Sequence, residues 1–154
     1  FTVNTLIIDN FLSKRESDFL INFYKSNEKN SFLFRNRYTL DLNENNFMVS
    51  FLAKKLQRTS KLFNSKIDWF QLIKWPINSK QNLHFDTSSD QTTLSSIIYL
   101  NENFIGGQTY YEDNTTIQPV IGRALFFDGN FYKHGVKKVK KDVRYVVADW
   151  YKKL

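Results

Sequence analysis

The sequence predicts an α+β chain that ends in a β-sandwich or jelly roll. Three observations carry that expectation. Before residue 65, two stretches place apolar residues at helical spacing. After Asn64-Ser65, short strand-like runs alternate with polar turns. The turns carry strong markers, Gly106-Gly107 and Asp128-Gly129-Asn130. Helices first and many short strands afterwards is an α+β pattern with a layered β end.

Residues 1–8 are rich in β-branched side chains and read as a first strand. Ser13 with Glu16 three positions on is a capping box that opens a helix. Phe19, Leu20, Phe23 and Tyr24 give that helix its apolar stripe, and it should end near 27–30. Residues 31–45 read as short extended pieces around Phe32, Phe34 and Tyr38, followed by a turn-like run from Asp41. A second helix is expected over about 46–63. Met48, Phe51, Leu52, Leu56, Leu62 and Phe63 form its core side, while Lys54, Lys55, Arg58 and Lys61 lie largely opposite. Ile67–Trp75 is strand-like and stops at Pro76. Further strands are expected near 82–86, 94–100, 108–112, 115–118, 123–128, 133–139 and 143–151. Tyr132–Val139 and Val143–Trp150 should form consecutive antiparallel strands joined around Lys140-Lys141-Asp142.

The chain has 154 residues, which favours one domain. It is 42% hydrophobic and 17% aromatic, ample for a packed core and contrary to intrinsic disorder. Without cysteine there is no disulfide, cysteine-ligated zinc, iron–sulfur cluster or thiol nucleophile. No apolar run approaches a membrane span and no signal-peptide pattern is present, so a soluble, cytoplasmic protein is expected. The net charge of +7 reads as a lysine-rich solvated surface in preference to a nucleic-acid footprint, because the basic residues are spread along the chain. The exception is Lys133, Lys137, Lys138, Lys140 and Lys141, read as a charged edge that discourages strand-to-strand aggregation.

The chemistry centres on Leu83-His84-Phe85-Asp86-Thr87. In a strand, residues i and i+2 share a face, so His84 and Asp86 can aim an imidazole and a carboxylate at one point. His134, the second of two histidines, lies 48 positions after Asp86. Brought to the same point, the three form a two-histidine, one-carboxylate set that suits non-haem Fe(II) and leaves coordination positions open. Arg144 sits on an otherwise mostly apolar run, Arg144–Trp150. A guanidinium turned into a barrel needs an anion, and its planar fork fits a carboxylate. Two plainer readings stand beside this: Asp86 as the cap of a turn with Thr87-Ser88-Ser89, and Arg144 paired with a core carboxylate such as Asp149.

From about Leu72 to Tyr151 the chain resembles the catalytic core of 2-oxoglutarate/Fe(II)-dependent dioxygenases of the prolyl 4-hydroxylase type. His84-Phe85-Asp86 looks like the family's H-x-D motif. Ile98-Tyr99-Leu100-Asn101 followed by Gly106-Gly107-Gln108-Thr109 resembles its paired "YLN…GG-x-T" strands. Pro119–Phe127 resembles its "P-x-x-G-x-x-L-F-F" strand, and His134-Gly135-Val136 its distal-histidine strand. Arg144, where many relatives carry lysine, leans towards the hypoxia-sensing type and its microbial relatives.

The resemblance implies a double-stranded β-helix (jelly roll) with N-terminal supporting helices. It implies one domain over 1–154, with helical support at about 10–65 and a catalytic core at about 67–152. His84, Asp86 and His134 would bind Fe(II); Arg144 would bind the distal carboxylate of 2-oxoglutarate, assisted by the Tyr99 hydroxyl. Ascorbate is an optional further cofactor. The implied reaction is oxidative decarboxylation to succinate and CO2, coupled to hydroxylation of a prolyl residue in a peptide or protein partner. The same chemistry on a free amino acid, another side chain or a nucleobase is the alternative, as is a non-catalytic jelly-roll binding module. Nucleobase repair relatives generally carry a second arginine shortly after the cosubstrate arginine, where this chain has Val147–Asp149. Segment 31–45 and the loop Thr87–Thr93 are the expected substrate-covering elements, being polar and close to the site.

Overall fold

The computed structural model describes residues 3–86 and 91–154. Its elements run β1 (Leu6–Ile8), α1 (Lys14–Ser26), a 3-10 turn (Glu28–Asn30), β2 (Phe32–Phe34), β3 (Arg37–Leu42), α2 (Ser50–Lys61), β4 (Ser65–Trp75), β5 (Gln81–His84), β6 (Thr92–Tyr99) and β7 (Ile105–Gly106). They continue with β8 (Thr109–Tyr111), β9 (Thr116–Ile117), β10 (Ala124–Phe127), β11 (His134–Val136), β12 (Val139–Lys141) and β13 (Arg144–Lys153). A major sheet has the order β1-β10-β6-β13-β4-β3-β2. A minor sheet has the order β5-β11-β8-β9, and β12 pairs with β7 as a separate ribbon. The chain is therefore mostly β, with two α-helices before β4, and the two facing sheets form a jelly roll.

The strands of the major sheet are apolar on both faces because each face meets a different layer. Along β4, Phe70 and Leu72 join one core cluster while Ile73 and Trp75 join another. Along β13, Val147 and Tyr151 face the first cluster while Val146 and Ala148 face the second. The first cluster includes Leu20 and Tyr24 of α1 and Leu52 and Leu56 of α2, so both helices lie against the outer face of the sheet. Each fully buried leucine there contributes roughly 1.5–3 kcal/mol relative to exposure. The second cluster fills the space between the sheets, where Tyr111 and Val136 meet Tyr99, Leu125 and Phe127.

Helix α1 begins as its sequence requires. Ser13 Oγ accepts from Glu16 N–H at 3.0 Å, and Glu16 Oε1 accepts from Ser13 N–H at 2.9 Å. Helix α2 starts later than its periodicity suggests, at Ser50. Residues 46–49 instead form a turn in which Val49 N–H donates to Asn46 C=O.

Two strand expectations are corrected. The strand expected at 82–86 ends at His84, and Asp86 is held just beyond it by a hydrogen bond from its N–H to Gly129 C=O at 2.8 Å. The expected hairpin of Tyr132–Val139 with Val143–Trp150 does not form. His134–Val136 pairs with β5 and β8, Val139–Lys141 pairs with β7, and Arg144–Lys153 runs between β4 and β6. Asp142 does turn the chain, with φ of 60°, but the turn carries it from the ribbon into the major sheet. The lysine cluster is accordingly spread over β12 and the segments flanking β11, not along one hairpin. The short extended pieces at 31–45 form the β2–β3 hairpin, which extends the major sheet at its edge. Of the expected covering loop Thr87–Thr93, residues 87–90 lie outside the described residues. Among the described residues, no helix is long and apolar enough to cross a membrane.

Asp149 on β13 is a buried acid of the major sheet. Burial pushes its carboxyl up to about 8, against the opposing pull of a hydrogen bond from Ser96. Its Oδ1 has no hydrogen-bond partner among the described residues. An unfolded aspartate titrates near 3.9, so folding takes up a proton between about pH 4 and pH 8. The stability held by the protonated form is present in full below that window and is lost as pH rises through it. Asp149→Asn cannot ionise, so its melting temperature should exceed that of the parent by a margin that widens from pH 5 to pH 8. Parallel melting profiles over that range would refute this.

Candidate metal centre

His84 ends β5 and His134 begins β11, and the two residues are paired across these antiparallel strands. Their rings are 4.5 Å apart by centroid, inclined at 54°. Asp86 reaches between them. Its Oδ1 lies 3.2 Å from His134 Nε2 and 3.6 Å from His84 Nε2. One donor atom from each of the three residues falls within 4.8 Å of the others. Phe127 packs edge-on against the His134 ring at 4.7 Å, and His134 is buried.

The surroundings fix how each donor is presented. Nδ1 of His84 is 2.8 Å from Asn82 C=O, and Nδ1 of His134 is 3.0 Å from Tyr132 C=O. A carbonyl only accepts, so each Nδ1 carries the proton and donates it. In neutral imidazoles this leaves both Nε2 lone pairs facing Asp86. Asp86 Oδ2 accepts from Ser95 Oγ at 2.6 Å, which turns Oδ1 towards the histidines. Burial opposes ionisation of Asp86, but its contacts with His134, His84 and the Ser95 hydroxyl outweigh it and hold the carboxyl well below its usual range. Two lone pairs aimed at an ionised carboxylate repel one another unless a cation lies between them. The donor set thus fits a divalent metal such as Fe(II), with two imidazoles and one carboxylate.

Gly129 leaves the room for this carboxylate. A β-carbon at position 129 would overlap both Asp86 Oδ2 and Ser95 Oγ. Gly129→Ala should displace Asp86 and lower metal affinity about 10–100-fold, as loss of an outer-shell partner does. Manganese titration would measure the loss, and circular dichroism should show the fold retained.

The metal-type cluster opens into a cavity of about 610 Å³ between the sheets. Arg144 is on its wall and 1% exposed. Arg144 Nε donates to Gly107 C=O at 2.8 Å, and an Nη reaches Thr109 Oγ1 at 3.4 Å. Its guanidinium carbon lies 5.2 Å from the Trp75 ring and 5.4 Å from the Tyr99 ring. No carboxylate pairs with it among the described residues, Asp149 included. Tyr99 is beside Arg144 but off the cavity wall. Its hydroxyl is 2.5 Å from Thr109 Oγ1 and accepts from Thr109 N–H at 3.3 Å.

Trp69 and Arg37 carried no functional signal in the sequence, whereas Trp150 on the closing strand reads either as pocket wall or as packing, and it lines the cavity. Trp69 stacks on Trp150 at 4.7 Å, and both line the cavity with Trp75. Arg37, at the start of β3, also lines it. The polar, aromatic texture of segment 31–45 was the available hint, although it does not single out Arg37.

Comparisons with known proteins agree with this geometry. A family model described as the 2OG-Fe(II) oxygenase superfamily matches residues 70–152. A prolyl 4-hydroxylase from Pseudomonas putida superposes with a TM-score of 0.82 at 16% identity, covering 99% of this chain and 94% of that one. A viral collagen prolyl hydroxylase from Paramecium Bursaria Chlorella virus-1, solved as a 2OG complex, has a TM-score of 0.74 at 20% identity, covering 97% and 96%. A prolyl hydroxylase from Trichoplax adhaerens, in complex with a hypoxia inducible factor oxygen degradation domain peptide fragment, has a TM-score of 0.79 at 22% identity, covering 98% and 84%. At these identities the structural likeness establishes the fold. Prolyl 3-hydroxylase 1 of Gallus gallus is 39% identical over 64 residues, a stretch that is 37% of this chain and 9% of that protein. The chain thus spans under a tenth of the length of that relative. With more than half of its residues matched by the family model, the chain belongs to the 2OG-Fe(II) oxygenase superfamily, whose members use Fe(II) and 2-oxoglutarate.

Proposed function

We propose that the protein is a 2-oxoglutarate- and O2-dependent dioxygenase that hydroxylates a prolyl residue in a peptide or protein and releases succinate and CO2. The observation that carries this is one cavity holding both a His84–Asp86–His134 cluster and a buried Arg144 with no acidic partner among the described residues. His84, Asp86 and His134 would hold Fe(II). When bound, the iron supplies the redox chemistry that couples decarboxylation of 2-oxoglutarate to oxidation of a substrate C–H bond.

The chain's own groups have distinct tasks. Arg144 binds the distal carboxylate of 2-oxoglutarate, because a desolvated guanidinium needs an anion and offers it a planar fork. Tyr99 acts through Thr109 and Arg144, fixing the guanidinium in place as a positioning residue. Ser95 and Gly129 orient Asp86. The Trp69–Trp150 pair and Phe127 give the cavity dry, flat walls that exclude water near the reacting carbon. The β2–β3 hairpin forms one rim and receives the substrate chain. In this reading residues 1–154 serve a single catalytic domain, with α1 and α2 supporting the major sheet.

Support for a prolyl substrate comes from the solved prolyl hydroxylases that share the fold, one of them with a peptide fragment, and from the local identity to prolyl 3-hydroxylase 1. The test is incubation with Fe(II), 2-oxoglutarate, ascorbate and air, offering proline-rich peptides, free proline or methylated oligonucleotides. The expected result is succinate release with a one-oxygen mass gain on the peptides. Turnover of oligonucleotides alone would overturn the prolyl assignment, and no succinate with any substrate would overturn the activity.

A further inference from the structure

We infer that Arg37 is a second anion-binding side chain of this cavity and that the substrate presents a carboxylate to it. This deepens the proposed function and rests on it for the bound iron and cosubstrate.

Arg37 begins β3 directly after the hairpin turn and is 9% exposed. Its guanidinium carbon lies 4.8 Å from the Trp75 ring and 5.0 Å from the Phe34 ring. Ring contacts satisfy the π faces of a guanidinium, whereas its N–H donors lie in its plane and need acceptors. Here Arg37 Nε is buried with no hydrogen-bond partner among the described residues. No carboxylate pairs with Arg37 among the described residues. Burial, then repulsion from Arg35 and Arg144, pulls its pKa down to about 10, so it stays charged at neutral pH.

Charge balance indicates what it awaits. Divalent iron with ionised Asp86, and Arg144 with dianionic 2-oxoglutarate, together come to neutrality. Asp149, the other acid at the cavity among the described residues, is kept protonated at neutral pH by burial. Among the described residues, Arg35 and Arg37 are then the uncompensated charges of the wall. Desolvating an arginine without a partner is costly, and a bound anion offsets the cost. Arg37 lines the same cavity as the metal-type cluster. A planar acceptor lying in the guanidinium plane suits such donors, which describes a carboxylate bound edge-on. In a peptide substrate that group is either an acidic side chain close to the hydroxylated residue or the terminal carboxylate.

The experiment measures peptide binding by fluorescence anisotropy to protein loaded with Mn(II) and 2-oxoglutarate, so that no turnover occurs. Matched pairs differ only in a carboxylate against a carboxamide. One arm exchanges Glu for Gln beside proline, one exchanges a terminal acid for its amide, and a third repeats both in proline-free peptides. The parent protein should prefer the carboxylate about tenfold or more in at least one arm, the scale of a charge-assisted hydrogen bond. The preference should fall to about one in Arg37→Gln and recover in part in Arg37→Lys, which keeps the charge without the fork. Affinity for 2-oxoglutarate should be unchanged in both variants. Preference in the proline-free arm alone supports the assignment to Arg37 while overturning the prolyl substrate. No preference in any arm overturns the Arg37 inference, as does a preference that survives Arg37→Gln. Loss of 2-oxoglutarate affinity in Arg37→Gln would also overturn it, by assigning the residue to the cosubstrate.

Discussion

Asp86→Ala is expected to abolish succinate release and to lower Fe(II) affinity more than about 100-fold, beyond the loss that follows removal of an outer-shell partner. Asp86 is the single anionic donor of the cluster, and one of its oxygens is already held by Ser95. What remains after the substitution is two imidazoles facing each other at 4.5 Å and a Ser95 hydroxyl without its acceptor. Two neutral donors bind a hard divalent ion weakly and leave its charge uncompensated in a buried site. Asp86→Asn separates charge from shape. It keeps a carbonyl oxygen in the same place but is neutral, so metal binding should still fall steeply although the fold is undisturbed. His134→Ala should match Asp86→Ala in activity and cost more stability, since the His134 ring is buried against Phe127. Calorimetric titration with Fe(II) under nitrogen, paired with a succinate assay in air, tests all three. Metal affinity within tenfold of the parent in Asp86→Ala would remove the cluster from the chemistry.

How far the chain was legible depends on the range of the interaction. The capping box at Ser13 and Glu16 is satisfied within one turn, and its sequence pattern carries all of its physics. The H-x-D spacing is nearly as local. Asp86 lies past the end of β5, yet the hydrogen bond from its N–H to Gly129 C=O keeps it beside His84. Sheet partners are different, because a strand's sequence reports that it has two buried faces but not which strands adjoin it. A short turn at Asp142 between two strand-like runs reads as a hairpin, yet a jelly roll uses such turns to pass between layers. Arg37 illustrates the same limit for function. An arginine in a polar segment is ordinarily solvated, and only the tertiary approach of Trp75 and Phe34 removes it from water. Arg144 was legible because its neighbours in sequence are mostly apolar, so its burial followed from the strand itself.

Arg144→Met should eliminate binding of 2-oxoglutarate while leaving the stability of the ligand-free protein within about 1 kcal/mol of the parent. The second half follows from what Arg144 lacks. If a carboxylate were paired with it, truncation would strand a buried negative charge and cost about 3–5 kcal/mol. With no such partner among the described residues, the losses are one good hydrogen bond to Gly107 C=O, about 1 kcal/mol, and two ring contacts of roughly 0.5–1 kcal/mol each. Against these stands relief from holding a desolvated cation, a penalty of roughly several kcal/mol per buried ion. The terms nearly cancel, so complete burial coexists with a small stability change. The ligand reverses that neutrality. In the presence of Mn(II), 2-oxoglutarate at a hundred times its dissociation constant should stabilise the parent by about 2.7 kcal/mol and Arg144→Met by nothing. Thermal melts with and without 2-oxoglutarate measure both quantities in one series. Destabilisation of ligand-free Arg144→Met by more than about 3 kcal/mol would mean that the guanidinium has an internal acidic partner. In that case the wall of the cavity would hold a structural ion pair where an anion site is inferred.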